Sequence, residues 1–289
     1  MDPQTSLLSA MDAADRGESV DVELIQQALL SGVSPRAALA DVSGRTFDVW
    51  SSHGADNREV PVVIMAGGVG SRLRPLTLTT PKPLIPIRDT TLVEMCMDTF
   101  AKAGCRKFFV SLNYKADMIE DFLSKQYAAS DRDFVFYRED KPLGSGGSLS
   151  LIRNQIRSTF VVASCDIVLR QDFRKVLDYH RASGNEATVV VALQRYKLTY
   201  GNMVTDENQR LLAMEEKPEY CFRVNTAVYV FEQHLLKDVP DDTYFPITSL
   251  IDSVIKRGGR VGCFPITYGS WRDVGTWEDY EFMRKEWRT

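Results

Sequence analysis

The sequence of 289 residues predicts an α/β fold in which a mostly parallel central sheet is flanked by helices. Short apolar segments typical of buried strands alternate with segments whose apolar residues recur at helical spacing. A connection from strand to helix to parallel strand is right-handed, so this alternation places helices on both faces of the sheet. Glycines directly follow the first apolar segment, as expected where a parallel strand ends in a loop.

The composition is that of a globular protein, with 44% hydrophobic and 26% charged residues. No apolar run approaches the ~18 residues of a membrane span, and the N-terminus lacks the basic start and apolar stretch of a signal peptide. We therefore expect a cytoplasmic protein without membrane association. Five scattered cysteines, with no C-x-x-C pair, predict buried thiols rather than a disulfide framework or a zinc site.

A change of composition near residue 58 divides the chain into an N-terminal extension, residues 1–59, and a domain, residues 60–289. The extension carries ten acidic side chains and four arginines, whereas the domain carries 29 acidic and 31 basic side chains. Nucleic acid would require a strongly basic face, so a small phosphorylated ligand fits this balance better. No nucleic-acid partner is predicted.

The extension contains a predicted short helix and glycine turn over residues 21–34. Its apolar stripe must be buried, so we expect it to pack against the domain or against a second subunit. In the second case the protein would be a homo-oligomer. The stripe consists of Leu24, Ile25, Ala28 and Leu29.

The domain begins with a predicted strand, and a capping box, Thr91-x-x-Glu94, opens its first long helix. The predicted strands cover residues 61–67, 107–112, 134–137, 160–164 and 187–193. Further helices are predicted around residues 119–127, 148–156 and 173–180. Beyond Gly201 three strands follow closely, at residues 202–205, 211–215 and 225–231, which predicts a small antiparallel excursion.

A glycine loop after the first strand provides a phosphate-binding candidate. Its glycines let backbone approach a ligand and aim N–H groups at phosphate oxygens. Arg72 and Lys82, the latter held between two prolines, add fixed cations that can stabilise charge on a reacting phosphoryl group. The nucleotide-binding candidates here are Ala66, Gly67, Gly68, Gly70, Ser71 and Arg72.

Two other glycine loops are excluded by spacing. A P-loop requires Lys-Ser/Thr after its last glycine, where this chain has Ser71-Arg72. A dinucleotide fingerprint requires glycine where Leu73 stands.

The segment AGGVGSRLRPLTLTTPKPLIP resembles the fingerprint of sugar-1-phosphate nucleotidylyltransferases, and the resemblance covers about residues 60–289. Further motifs follow in the family's order: residues 142–147, 165–166, 200–201, 216–218, 224–225 and 271–276. The chain most resembles bacterial mannose-1-phosphate guanylyltransferase-like proteins, some of which carry N-terminal CBS domains. Within the extension, residues 21–34 resemble the end of a CBS module, but 59 residues are too few for a CBS pair, so we expect no independent binding of adenosine nucleotides.

The resemblance implies a Rossmann-like fold of the nucleotide-diphospho-sugar transferase type. It also implies condensation of a sugar 1-phosphate with a nucleoside triphosphate, GTP favoured, to give a nucleotide sugar and pyrophosphate. Asp166 and Asp273 would hold Mg²⁺, and Asp166 follows a strand at the edge where open α/β sheets place ligands. Together with Arg72 and Lys82 they form the predicted catalytic set.

The resemblance further assigns the sugar and base contacts. Glu216 would accept hydrogen bonds from sugar hydroxyls and Lys217 would bind the sugar's phosphate, with Gly201 and Asn225 as further sugar contacts. The base pocket would be lined by Leu143, Gly144, Ser145 and Gly146, the last leaving room for the base. The attacking phosphate oxygen is already anionic, so no catalytic histidine is expected.

This sequence differs from the common residues of the resembling family at 145–148, 164–165 and 226–227, which fall in the expected base and sugar pockets. The resemblance therefore indicates the class of reaction better than it indicates the substrate. Two alternatives remain: a uridylyl-, thymidylyl- or cytidylyltransferase of the same fold, and a catalytically silent subunit that senses a sugar nucleotide.

Overall fold

The computed structural model of the protein describes residues 56–287, so the predictions for the extension lie outside the described residues. Its strands are β1 (Val62–Met65), β2 (Pro86–Ile87), β3 (Thr90–Thr91), β4 (Lys107–Leu112), β5 (Asp133–Arg138), β6 (Phe160–Ser164), β7 (Ile167–Leu169), β8 (Ala187–Lys197), β9 (Asn202–Thr205), β10 (Leu211–Glu215), β11 (Glu219–Phe231), β12 (Val261–Thr267) and β13 (Trp271–Asp273).

Its α-helices are α1 (Leu76–Thr79), α2 (Leu92–Lys102), α3 (Ala116–Gln126), α4 (Gly144–Gly147), α5 (Phe173–Ala182), α6 (Ile247–Lys256) and α7 (Trp277–Lys285). Short 3₁₀ helices cover Ser71–Leu73, Lys82–Leu84, Ser148–Ile152, Gln233–Asp238 and Tyr268–Ser270. None of the helices within residues 56–287 is long and apolar enough to cross a membrane.

Seven strands form the central sheet in the order β12-β8-β11-β6-β1-β4-β5. Strand β11 is antiparallel to both of its neighbours, and the other neighbouring pairs are parallel. At the centre, Ile64 of β1 lies between Val110 of β4 and Ala163 of β6. The predicted fold class, a mostly parallel sheet, is confirmed.

Helices cover the sheet on both faces, as predicted. One face packs against α2, α3 and α5 through residues such as Phe100, Ile119 and Val176. The other packs against α6 and two of the 3₁₀ helices, with Leu250 and Leu236 in the core. Helix α2 begins at the predicted capping box: Glu94 N–H donates to Thr91 Oγ1, and Thr91 N–H donates to the Glu94 carboxylate.

One local prediction is wrong. The predicted helix over residues 148–156 is only the 3₁₀ helix Ser148–Ile152, because the hydroxyl of Ser150 bonds the Gly147 carbonyl and competes with regular helical bonding. The segment before it contains α4, whose Gly146 and Gly147 N–H groups donate to the Phe245 carbonyl.

The antiparallel excursion is smaller than predicted. Strands β9 and β10 form a separate two-stranded antiparallel sheet, as expected. Residues 225–231, however, belong to β11 and supply the antiparallel strand of the central sheet.

The prediction of buried thiols holds for three of the five cysteines. Cys221 and Cys263 are exposed because they lie at the margins of the sheet, on the outer part of β11 and on the edge strand β12.

Candidate functional site

The glycine loop leaves the carboxyl end of β1 in the middle of the sheet. The Ala66 N–H donates to the Ser111 carbonyl at 3.0 Å, which fixes the start of the loop against β4. Gly70 has a φ of +66° and precedes the 3₁₀ helix Ser71–Leu73. A Cβ at Gly70 would lie 3.0 Å from Thr77 Cγ2 and 3.1 Å from Lys82 Cβ, so both conformation and space require glycine there.

Lys82 is 8% exposed, and its ammonium group forms an ion pair with Asp166 Oδ2. The 3₁₀ helix Lys82–Leu84 that begins at this lysine positions the side chain beneath the glycine loop. The other carboxylate oxygen of Asp166 accepts a hydrogen bond from the Ser164 hydroxyl. Both oxygens of Asp166 are therefore held in place before any ligand binds.

A short antiparallel ladder between β7 and β13 brings the two candidate metal carboxylates together. Asp273 pairs with Ile167, and the Val274 N–H donates to the Asp166 carbonyl at 3.1 Å. Asp273 Oδ1 is buried and has no hydrogen-bond partner. Burial, and then the neighbouring charge of Asp166, raise the pKa of the Asp273 carboxyl above its usual 3.8, against the opposing effect of Lys82 and Arg72.

Gly275 lets the Arg72 guanidinium approach this carboxylate. A Cβ on Gly275 would lie 2.8 Å from Arg72 Nη2 and 3.2 Å from Asp273 Oδ1. The absence of a side chain at this position therefore makes room for both groups. The sequence motif contained this glycine, but only the packing shows that it accommodates Arg72.

These residues surround a cavity of about 520 Å³ at the carboxyl edge of the sheet. Predicted residues that line it are Gly67, Gly68, Gly70, Ser71, Arg72, Lys82, Gly144, Ser145 and Asp166, and Gly275 borders it as well. Ala66, Leu143 and Gly146 are buried. The structure thus brings the predicted phosphate-binding residues and one candidate carboxylate to a single opening, with Asp273 adjoining it at Gly275.

The packing around Gly146 requires glycine at this position. A Cβ at this position would lie 3.0 Å from the Phe245 carbonyl oxygen and 3.1 Å from the Ile247 backbone. Its close approach is therefore to the segment that leads into α6. Gly144 (φ +77°) and Ser145 line the cavity, and the Ser145 hydroxyl accepts a hydrogen bond from the Ile247 N–H at 3.0 Å.

Glu139 is a cavity residue that the sequence analysis missed. Its Oε1 would lie 3.3 Å from a Cβ at Gly67, and it accepts a hydrogen bond from the Ser111 hydroxyl at 2.6 Å. Its Oε2 accepts from the Leu143 N–H at 3.0 Å. Glu139 directly follows β5. In open α/β sheets, side chains at the carboxyl ends of strands face the ligand, and the rule that identified Asp166 therefore applies to Glu139 as well.

The predicted sugar-binding residues are not among those that line this cavity: Gly201, Glu216 and Lys217 flank the β9–β10 hairpin, and Asn225 lies on β11 beside Val191 of β8. A Cβ at Gly201 would lie 3.2 Å from Glu216 Oε2, so these two residues are neighbours. Lys217 has a φ of +46° and is exposed, with its ammonium 3.9 Å from Glu216 Oε1. Asn225 donates to the Tyr229 hydroxyl at 2.8 Å, and its amide oxygen accepts from the Ala227 N–H.

A mostly parallel α/β sheet whose interior strand β1 delivers a glycine loop to a buried lysine, an exposed arginine and two partly buried carboxylates is typical of phosphate-binding proteins of the nucleotide-binding type. The model of the Nucleotidyl transferase family matches residues 61–287. The chain belongs to this family.

Curated relatives include mannose-1-phosphate guanylyltransferases. The catalytic subunit beta from Drosophila pseudoobscura pseudoobscura is 27% identical over 223 residues, which cover 75% of this chain and 60% of the relative. The enzyme from Mycobacterium tuberculosis is 28% identical over 226 residues, covering 77% of this chain and 63% of the relative. The chain therefore spans about three-fifths of the length of these relatives.

Solved structures with the same fold include HddC from Yersinia pseudotuberculosis. It matches with a TM-score of 0.60 and 26% identity, over 79% of this chain and 100% of HddC. A second structure of HddC, complexed with GMP-PN, matches with the same TM-score and 24% identity. These matches confirm the Rossmann-like fold of the nucleotidyltransferases.

Proposed function

We propose that this protein transfers a nucleotidyl group from a nucleoside triphosphate, GTP favoured, to a sugar 1-phosphate, with release of pyrophosphate. The observation that carries the proposal is the meeting of Arg72, Lys82, Asp166 and Asp273 beside the glycine loop. This set provides cations for phosphate oxygens and carboxylates for a divalent ion. The names of the curated mannose-1-phosphate guanylyltransferase relatives support the same reaction.

The reaction is a displacement at the α-phosphorus. An oxygen of the sugar phosphate forms the new bond, and the bond from the α-phosphorus to the oxygen of the leaving pyrophosphate breaks. The attacking oxygen is anionic at neutral pH, so no side chain has to remove a proton from it. Arg72 and Lys82 stabilise the charge that develops on the phosphoryl oxygens, and the glycine loop supplies backbone donors. Lys217 binds the phosphate of the incoming sugar.

The carboxylate pair fits Mg²⁺. Asp273 Oδ1 is a buried oxygen without a hydrogen-bond partner, which is the arrangement expected of a metal ligand. Mg²⁺ prefers hard oxygen ligands and commonly takes one or two carboxylates together with substrate phosphates. Asp166 and Asp273 would hold the ion, which when bound would neutralise phosphate charge and polarise the reacting phosphoryl group.

Glu139 supports guanine as the base. An ionised carboxylate only accepts hydrogen bonds, so in a cavity for an anionic nucleotide it needs donors from the base. Guanine presents two adjacent donors, N1–H and the N2 amino group, which match the two oxygens of one carboxylate. The oxygens of Glu139 already accept from Ser111 and Leu143, and each retains a lone pair. We therefore assign Glu139 to base recognition.

Pyrophosphate release, measured with a panel of nucleoside triphosphates and sugar 1-phosphates, tests both proposals. We expect GTP to give the highest kcat/KM, and Glu139→Gln to lower the preference for GTP over UTP by about 10- to 100-fold, since a bidentate base contact contributes about 1–3 kcal/mol to discrimination. Glu207→Gln, in an exposed turn, is the control. No pyrophosphate release with any pair would contradict the activity, and an unchanged base preference would contradict the role of Glu139.

We propose that the extension is a docking element outside the chemistry. A test truncation should begin at Asp56, because Asn57 belongs to the domain: its amide donates to the Ala103 carbonyl at 3.0 Å, and Arg181 donates to its Oδ1 at 2.8 Å. Removal of residues 1–55 should preserve turnover but lower the Tm or change the oligomeric state. If the Tm and the oligomeric state both stay the same, the extension is not docked.

A further inference from the structure

Two consecutive side chains in the turn between β4 and α3 contact the segment that joins the two candidate catalytic cations. That segment, residues 73–81, leaves Arg72, forms the four-residue helix α1 and returns to Lys82. The turn supplies Tyr114 and Lys115, which belong to none of the sequence motifs. Neither residue is among those that line the cavity, so their influence on a bound nucleotide would be indirect.

The last carbonyl groups of α1 need partners from outside, because the end of a helix leaves them without intrahelical hydrogen bonds. The Tyr114 hydroxyl donates to the Thr77 carbonyl at 3.0 Å. The Lys115 ammonium donates to the carbonyls of Leu78 and Thr79 at 2.6 and 2.7 Å. A helix of four residues is too short to be stable alone, so these two side chains complete it.

Thr77 connects α1 to the glycine loop. It is 1% exposed, and its hydroxyl donates to the Gly70 carbonyl at 3.0 Å. The Tyr114 hydroxyl binds the carbonyl of this same threonine, and the Tyr114 N–H donates to the Gly67 carbonyl at 3.5 Å. Tyr114 is therefore bonded to both ends of the glycine loop, directly at Gly67 and through Thr77 at Gly70.

Lys115 has a left-handed backbone conformation, with a φ of +52°. Glycine adopts this conformation without steric cost, whereas other residues rarely do. A residue held in such a conformation persists where the surrounding contacts compensate for the cost. The two hydrogen bonds of the Lys115 ammonium are contacts of this kind, and a glycine in the same turn would not make them.

We propose that Tyr114 and Lys115 are positioning residues that hold α1, and with it the glycine loop and the two cations, in the arrangement that binds a triphosphate. The inference rests on the function proposed above. The loop N–H groups and the side chains of Arg72 and Lys82 must all face one ligand, and freedom that is removed before binding no longer opposes it. Fixing the segment between the two cations in advance therefore strengthens binding of the phosphates.

Isothermal titration calorimetry of the full chain with tripolyphosphate, in a magnesium buffer, tests the role of Tyr114. This probe has no base and no sugar, so its binding is independent of which nucleotide and which sugar the protein uses. Tyr114→Phe should weaken its binding by about 2- to 10-fold, the usual net effect of one lost hydrogen bond. Tyr196→Phe is the matched control, because Tyr196 lies near the carboxyl end of β8 and is 51% exposed, and should leave binding unchanged.

The same titration tests Lys115. Lys115→Met should weaken tripolyphosphate binding by at least about 10-fold, because both hydrogen bonds to α1 are lost. Lys115→Arg should recover most of the affinity, since a guanidinium can donate to the same carbonyls. Lys125→Met, on α3 with a side chain 78% exposed, is the control for the lost positive charge. If Lys125→Met weakens binding as much as Lys115→Met, net charge alone is responsible and the role of Lys115 is refuted.

A double-mutant cycle shows whether Tyr114 acts through Thr77. Thr77→Val removes the hydroxyl that binds the Gly70 carbonyl and keeps the shape of the side chain. Tyr114→Phe should then weaken tripolyphosphate binding much less in the Thr77→Val background than in the wild-type protein. Equal losses in both backgrounds would overturn the proposal. So would unchanged affinity in both Tyr114→Phe and Lys115→Met, or a wild-type protein that does not bind tripolyphosphate.

Discussion

Asp273→Asn is expected to lower turnover by at least about 10²-fold and, in metal-free buffer at pH 7, to raise the Tm. Turnover would fall because the variant removes a negative charge from the carboxylate pair that we propose holds the divalent ion. The Tm rises because a buried carboxylate whose pKa is raised favours its neutral form in the folded state, so its ionisation costs stability.

The loss of folding stability caused by ionised Asp273 depends on pH. This loss is absent below about pH 3.8, the usual pKa of the carboxyl, and is complete above the raised pKa of the folded state. The difference in Tm between the variant and the wild-type protein should therefore shrink as the pH falls through that window, measured by calorimetry with a chelator present. Asp252→Asn, on the exposed side of α6, is the control. Near-normal turnover of both Asp273→Asn and Asp166→Asn at limiting Mg²⁺ would refute the metal assignment.

Arg72→Ala should lower kcat by about 10²–10³-fold with a smaller change in KM. The guanidinium lies beside Asp273 at the mouth of the cavity, where it can stabilise charge that develops only during reaction. Steady-state kinetics separate the two parameters. A rise confined to KM would show that Arg72 only binds the ground-state triphosphate.

Gly275→Ala provides an independent measurement of the same interaction. The new Cβ would lie 2.8 Å from Arg72 Nη2, the far end of a flexible side chain, so the fold should survive while the guanidinium is displaced. Gly275→Ala should therefore lower kcat strongly in the wild-type protein and only slightly in the Arg72→Ala variant. Additive losses in this double-mutant cycle would show that Gly275 acts through another group.

The sheet and the part of the cavity formed by the glycine loop were predictable because local signals determine them. Buried parallel strands are short apolar runs, and the glycine loop follows β1 directly, so one sequence segment contains both the strand end and the donors. Asp166 could be placed at the cavity because it directly follows a strand whose end faces ligands in this fold. These features need no knowledge of distant packing.

The features that the sequence did not reveal depend on contacts between distant segments. The role of Gly146 is set by Phe245, and that of Gly275 by Arg72, roughly 100 and 200 residues apart in sequence. The sequence pattern of β11 predicts a strand, but it does not show which sheet residues 225–231 join. Glu139 closely follows a predicted strand, as Asp166 does, but it belongs to none of the sequence motifs.

The β7–β13 ladder makes the candidate site depend on a long-range contact. Asp166 directly precedes β7, whereas Asp273 ends β13, roughly 100 residues further along the chain. The two carboxylates therefore come together only when these two segments pair, and a substitution that weakens the ladder would separate them without touching either one.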